Sequence, residues 1–140
     1  AALGQALGGS RQSLKVRLMD QRVVAGLGNI YVSESLWQAR LSPMRPAGGL
    51  TRAEQVRLVR AIRRVLRRAI RWGSSLRLDW SGQSQSGLFY FGGVAGAGEA
   101  VEEPFAVYDR EGLPCSRCGA PIRRVVQSGR STYVCMVCQV

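Results

Sequence analysis

Apolar positions recur with helical spacing over three stretches and alternate as strands do near the C-terminal end. Between Arg11 and Val24, Leu14, Leu18, Met19 and Val23 fall on one helical face. Two glycines in Ala25-Gly26-Leu27-Gly28-Asn29 break that helix, and Asn29 is placed to cap a second one over Ile30–Arg40, with Ile30, Leu36 and Trp37 among its apolar residues. Ser42-Pro43 to Gly49 is a turn-rich connection. The longest helix follows. Thr51-Arg52-Ala53-Glu54 has the form of a capping box, Val56, Val59, Ile62, Leu66, Ala69 and Ile70 mark an apolar stripe, and Gly73 stands where a C-cap glycine belongs. Ala1–Ser10, small and Gly-rich, reads as a helix remnant or a linker.

Residues 74–104 are Gly- and Ser-rich around Phe89-Tyr90-Phe91, and a stretch of this length with weak periodicity is usually functional or mobile. Phe105–Tyr108 reads as a short strand. Ile122–Gln127 and Ser131–Val134 read as a hairpin turning at Ser128-Gly129-Arg130. The expected fold class is mainly α: a bundle of about four helices followed by a C-terminal β-hairpin, with domains at 1–104 and 105–140.

Charge narrows the partner. Twenty basic residues against nine acidic ones give a net charge of +11 over 140 residues, and Lys15 is the single lysine. Arginine's planar fork pairs with phosphate oxygens, so the bias suggests a polyanion, nucleic acid before an anionic membrane. A solvated helix face accounts equally well for Arg57, Arg60, Arg63, Arg64, Arg67, Arg68 and Arg71, which still add to the field that draws a polyanion in. No apolar run is long enough to span a membrane, and Ala1–Gly9 lacks the basic start of a signal peptide. Histidine is absent, which removes every catalytic scheme that uses it as base or ligand.

All four cysteines lie in two C-x2-C pairs, Cys115/Cys118 and Cys135/Cys138, sixteen residues apart. A tetrahedral thiolate site needs this arrangement, with the hairpin bringing the knuckles together; a redox dithiol pair or an iron–sulfur site is the alternative. One structural zinc ion is expected, since four protein ligands leave no open position for water. Clustered thiols of this kind point to a reducing, cytoplasmic compartment. The hairpin also carries Arg117, Arg123, Arg124 and Arg130 and no acid; Arg130, at the turn, either projects to a ligand or is a plain exposed arginine.

Gly26-x-Gly28 lacks the preceding strand and third glycine of a dinucleotide site. Two readings remain: an anion site built from loop amides, the helix N-terminus and the Asn29 amide, or a simple helix–helix turn.

Asp20-Gln21-Arg22-Val23-Val24-Ala25-Gly26-Leu27-Gly28-Asn29-Ile30-Tyr31, with Glu34-Ser35-Leu36 and Leu41-Ser42-Pro43 after it, resembles the helix–two-turns–helix signature of the formamidopyrimidine-DNA glycosylase and endonuclease VIII family. Gly129-Arg130-Ser131-Thr132 before Cys135 is similar to that family's terminal zinc finger. The likeness runs from about Arg11 onward and is closer to the formamidopyrimidine (8-oxoguanine) branch. It implies a base-excision-repair protein that binds damaged or abasic double-stranded DNA, flips out an oxidised purine, cleaves its glycosidic bond and nicks the strand by β,δ-elimination. By resemblance, Arg11, Lys15, Gly26, Gly28, Asn29 and Arg130 contact DNA, Arg130 as the phosphate clamp tied to δ-elimination, and 74–104 is the lesion-capping loop. Extra Gly and Ala around 92–100 depart from the family pattern there.

The family's nucleophile is an N-terminal proline amine on a separate β-rich domain, and this sequence begins Ala1-Ala2-Leu3. The expectation is therefore a monomeric DNA-binding half of a glycosylase/AP lyase, inactive by itself, in a bacterial cytoplasm. The alternatives are a free-standing, non-catalytic zinc-finger DNA-binding protein, and a zinc-ribbon adaptor, which leaves the glycine-loop helix pair unexplained.

Overall fold

The computed structural model describes residues 2–20, 22–23, 27–75 and 105–140. Among these the order is α1 (Ala2–Leu7), α2 (Leu14–Met19), α3 (Asn29–Ala39), a 3₁₀ turn (Ala47–Gly49), α4 (Arg52–Ser75), β1 (Arg123–Gln127) and β2 (Arg130–Val134). The expected mainly helical fold with a C-terminal hairpin is present. The chain divides into two compact units, Ala1–Val65 with Phe105–Val140, and Leu66–Pro104; of the second, only the end of α4 is described. The sequence-identified loop at 74–104 lies outside the described residues from 76 onward, and Gly26 lies outside them too.

The first unit is organised around α3. Val32, Ser33, Glu34, Ser35, Leu36, Trp37 and Ala39 are all buried, as befits a helix covered on most sides. It packs against α2 on one side and β2 on another. Leu14, Leu18, Leu27, Leu41, Leu58, Ala61, Ile62 and Val65 complete the helical core. A second cluster joins α3 to the cysteine hairpin through Trp37, Val107, Cys115, Ile122, Tyr133 and Cys135.

Helix ends follow local chemistry in part. The capping box forms as expected: Thr51 Oγ1 accepts the Glu54 amide at 3.1 Å, and the Glu54 carboxylate accepts the Thr51 amide at 2.8 Å. The same carboxylate takes a two-pronged contact from Arg45 at 2.7 and 3.0 Å, and this arginine, with the Thr51 amide second, holds it down at about 2. The first predicted helix is shorter than its apolar period, because Ser13 caps it by accepting the Val16 amide at 3.4 Å and itself bridges to Pro46.

Further local expectations differ from the structure. Gly28, not Asn29, stands at the N-cap of α3: Asn29 is already the first helical residue, and its side-chain amide donates to the Ser131 carbonyl. Helix α4 passes through Gly73 to Ser75. Its buried line is Leu58, Ala61, Ile62 and Val65, whereas Val56 is 43% exposed, so the predicted stripe was rotated by part of a turn. Phe105–Tyr108 forms bends, because the amides of Ala106, Val107 and Tyr108 all go to the Glu34 carboxylate at 2.8, 2.8 and 2.9 Å instead of to a neighbouring strand.

The hairpin is antiparallel, with Gln127 opposite Arg130 and Arg123 opposite Val134. Ser128 and Gly129 form its two-residue turn at φ 49° and 78°, the left-handed pair that matches strand twist. Arg130 is thus the first residue of β2 and not part of the turn.

Candidate metal centre and nucleic-acid interface

Each C-x2-C pair folds as a tight knuckle. Gly119 follows the first at φ 84° and returns its amide to the Cys115 carbonyl at 2.8 Å. At the second, the Gln139 amide bonds the Cys135 carbonyl at 3.0 Å, while its side chain accepts the Cys135 amide at 2.9 Å and donates to the Leu41 carbonyl at 3.0 Å. The hairpin then brings Cys115, Cys118, Cys135 and Cys138 together, all four sulfurs within 4.8 Å of one another. Cys115 and Cys138 sulfurs lie 3.9 Å apart and those of Cys118 and Cys135 3.5 Å, far beyond a disulfide bond. Four sulfurs about 2.3 Å from one tetrahedral ion would be separated by roughly 3.8 Å, so the cluster fits a single zinc. Backbone amides of Arg117 and Cys138 point at Cys115 and Cys135 sulfurs at 3.3 and 3.4 Å, as thiolate ligands require. The Trp37 indole N–H of α3 donates to Cys115 Sγ at 3.4 Å.

A second constellation joins the helices to the hairpin tip. Lys15, 1% exposed on α2, donates to the Ser131 carbonyl at 3.1 Å and to Thr132 Oγ1 at 2.7 Å. Asn29, in the first turn of α3, donates to the same Ser131 carbonyl at 3.1 Å. Thr132 passes the network on to Gln127 Oε1 at 2.8 Å, and Gln127 Nε2 reaches Ser13 Oγ and the Pro43 carbonyl at 3.1 and 3.3 Å. Burial, with the positive charge of Arg130 second, lowers the Lys15 ammonium from 10.5 to about 8. Among the described residues Asn29 Oδ1 is a buried acceptor atom with no hydrogen-bond partner.

The sequence-identified residues are therefore brought together unequally. Lys15, Asn29 and Arg130 meet at the junction of α2, α3 and β2, and Gly28 is the residue before α3. Arg130 is exposed beside buried Lys15 and half-buried Asn29, and Arg11 is exposed ahead of α2. Neither conformation nor packing calls for glycine at 28: its φ is −92°, and an added Cβ would meet nothing within 4 Å. Among the described residues no helix is long and apolar enough to cross a membrane.

Sequence reasoning missed three positions that assemble the site. Glu34, Gln127 and Gln139 are buried or half-buried polar residues whose partners are far away in sequence. Glu34 carries a signal, the one charged side chain within Asn29–Ala39, which must find donors if it is to be buried.

Comparison with known proteins agrees with this geometry. Residues 1–79 match the formamidopyrimidine-DNA glycosylase H2TH domain, and residues 112–140 match the zinc finger found in FPG and IleRS. A formamidopyrimidine-DNA glycosylase of Rhodopseudomonas palustris is 47% identical over 143 residues, covering 98% of this chain and 45% of that protein. One from Thermus thermophilus is 48% identical over 130 residues, covering 93% of this chain and 45% of that protein. The crystal structure of MutM (FPG) from Thermus thermophilus superposes with a TM-score of 0.75 at 42% identity, covering 99% of this chain and 48% of that one. Lactococcus lactis Fpg in complex with abasic-site DNA gives 0.76 at 32% identity, with 99% and 46% covered. The chain spans about half the length of the curated relatives it matches. It belongs to the formamidopyrimidine-DNA glycosylase H2TH family and corresponds to that family's C-terminal half, the helix–two-turns–helix unit together with its zinc finger.

Proposed function

We propose that this chain is the damaged-DNA-binding half of a base-excision-repair glycosylase/AP lyase that acts on oxidised purines, 8-oxoguanine and formamidopyrimidines. Its partner is duplex DNA carrying such a lesion or an abasic site, and glycosidic cleavage and β,δ-elimination belong to the whole protein. The observation that carries the reading is the convergence of Lys15 and Asn29 on the Ser131 carbonyl beside exposed Arg130. One basic surface then includes both the N-terminus of α3 and the hairpin tip. Arg11, Gly28 and Asn29 face the backbone phosphates, and Arg130 clamps the phosphate at the flipped nucleotide, the position tied to δ-elimination; Lys15, expected to touch DNA, is buried and instead holds the Ser131 carbonyl and Thr132 from beneath, and Gly26 lies outside the described residues. A bare Gly28 supports this, because a side chain there would stand where a phosphate oxygen approaches the loop. Zinc is structural in this reading, helix module 1–104 and finger 105–140 are the two functional domains, and the protein works as a monomer in the cytoplasm.

The test is fluorescence anisotropy of the zinc-loaded chain on duplexes holding an abasic analogue, 8-oxoguanine opposite cytosine, or no lesion. Affinity is expected to fall steeply between about 50 and 200 mM salt, because phosphate contacts release counterions. Arg130→Ala is expected to weaken lesion-duplex binding roughly tenfold, the worth of one charge-assisted contact, with the melting temperature unchanged. Unchanged affinity at moderate salt would remove Arg130 from the interface.

A further inference from the structure

The four thiolates of the metal centre have unequal surroundings. Cys115 is 2% exposed and Cys135 fully buried, Cys138 is half-buried, and Cys118 is exposed. Their donors differ as well. The amide bonds to Cys115 and Cys135 are made by each knuckle to itself, two and three residues on. The indole bond to Cys115 has no such local origin, since Trp37 lies 78 residues earlier in the chain.

Trp37 is itself covered. The Arg117 guanidinium lies over its ring, 3.7 Å from the centroid, and donates to the Trp37 carbonyl at 3.1 Å. Arg117 occupies the first knuckle between Cys115 and Cys118, so the chain closes a ring of contacts: knuckle arginine onto indole, indole N–H back onto knuckle thiolate. A cation on the ring face withdraws electron density from the indole and strengthens its N–H as a donor. A donor on a metal-bound thiolate draws charge from the sulfur, which holds the ligand in place and blunts it as a nucleophile. The apolar cluster around Trp37 needs only an aromatic ring there; the N–H is what a phenylalanine would lack.

We propose that Trp37, with Arg117 stacked on it, guards the Cys115 thiolate, so that the zinc site opens to electrophiles from Cys118 and yields Cys115 last. In the step concerned, a thiolate adds to the double bond of a maleimide. A sulfur–carbon bond forms, the displaced electron pair takes a proton from water at the neighbouring carbon, and the zinc–sulfur bond is lost. The inference concerns the metal centre alone and stands independently of which DNA is bound.

The experiment alkylates the zinc-loaded full chain with substoichiometric N-ethylmaleimide, follows each cysteine by peptide mass spectrometry, and follows zinc release into a chromogenic chelator. Cys118 is expected to react first and Cys115 last; early labelling of Cys115 in the unsubstituted chain would overturn the proposal. In Trp37→Phe the Cys115 rate is expected to rise about tenfold, the worth of one hydrogen bond to a charged group, with the other three cysteines within about twofold. No selective rise, or an equal rise at all four cysteines, would reduce Trp37 to packing and sink the idea. Arg117→Met keeps a stem over the indole and removes the cation. It is expected to give a smaller rise confined to Cys115, and an unchanged rate there would take the guanidinium out of the guard.

Discussion

Replacing Glu34 by Gln tests how the helical unit holds the cysteine hairpin. Its carboxylate accepts three backbone amides at 2.8, 2.8 and 2.9 Å, one oxygen serving Ala106 and the other both Val107 and Tyr108. Glutamine keeps one acceptor oxygen and sets an NH2 group against the remaining amide. If the oxygen stays with Val107 and Tyr108, those two bonds fall from charge-assisted to neutral strength, a loss of about 1 kcal/mol each. The Ala106 amide then faces a donor, which costs a further 1–3 kcal/mol or so. Relief from burying a full charge returns roughly 1–2 kcal/mol of this. The net destabilisation is about 1–4 kcal/mol, or a fall in melting temperature of roughly 3–15 °C for a chain of this size. Thermal melts of the zinc-loaded protein at neutral pH, followed by circular dichroism, read this directly. A shift under about 2 °C would refute the reasoning, since three amides cannot lose their shared acceptor so cheaply.

Two further outcomes follow from the same junctions. Lys15 is lowered to about 8 from 10.5, so between those pH values the unfolded chain holds more protons than the folded one, and stability gains from this residue as pH rises. Its share is at most about 3 kcal/mol; Lys15→Met should remove that rise, and parallel stability–pH curves for the two proteins between pH 8 and 10 would contradict the assignment. Cys135→Ser should abolish stoichiometric zinc and the hairpin's order, measured by metal analysis and circular dichroism; one retained zinc per chain would disprove four-thiolate ligation.

What was legible in the sequence is what short-range chemistry decides. The capping box joins residues three apart, each knuckle spans four residues, and the hairpin turn needs only Ser128-Gly129 to accept left-handed backbone. The expectations that failed were decided at long range. Asn29 is a good cap by composition, yet the helix starts one residue sooner and turns the Asn29 amide toward the Ser131 carbonyl, 102 residues on. Phe105–Tyr108 has strand-like residues, but its amides belong to a carboxylate more than seventy positions earlier. The stripe of α4 was misplaced because valines and leucines occur on several sides of that helix, and only the neighbours decide which of them are buried. Trp37 read as one more apolar residue of α3, since nothing local says that its N–H meets a cysteine.

The long span of these bonds sets an order of events during synthesis. Lys15, Asn29 and Glu34 are made before their partners at 106–108 and 131–132, which follow 72 to 117 residues later. Before then Lys15 and Asn29 lack the Ser131 and Thr132 acceptors of the folded chain and Glu34 lacks the three amides of 106–108, so packing α2 and α3 down costs more before the hairpin arrives than after it. The hairpin that supplies these partners is itself ordered by its metal. Zinc binding, by ordering the hairpin, is thus linked to the packing of helices that precede it by up to 117 residues.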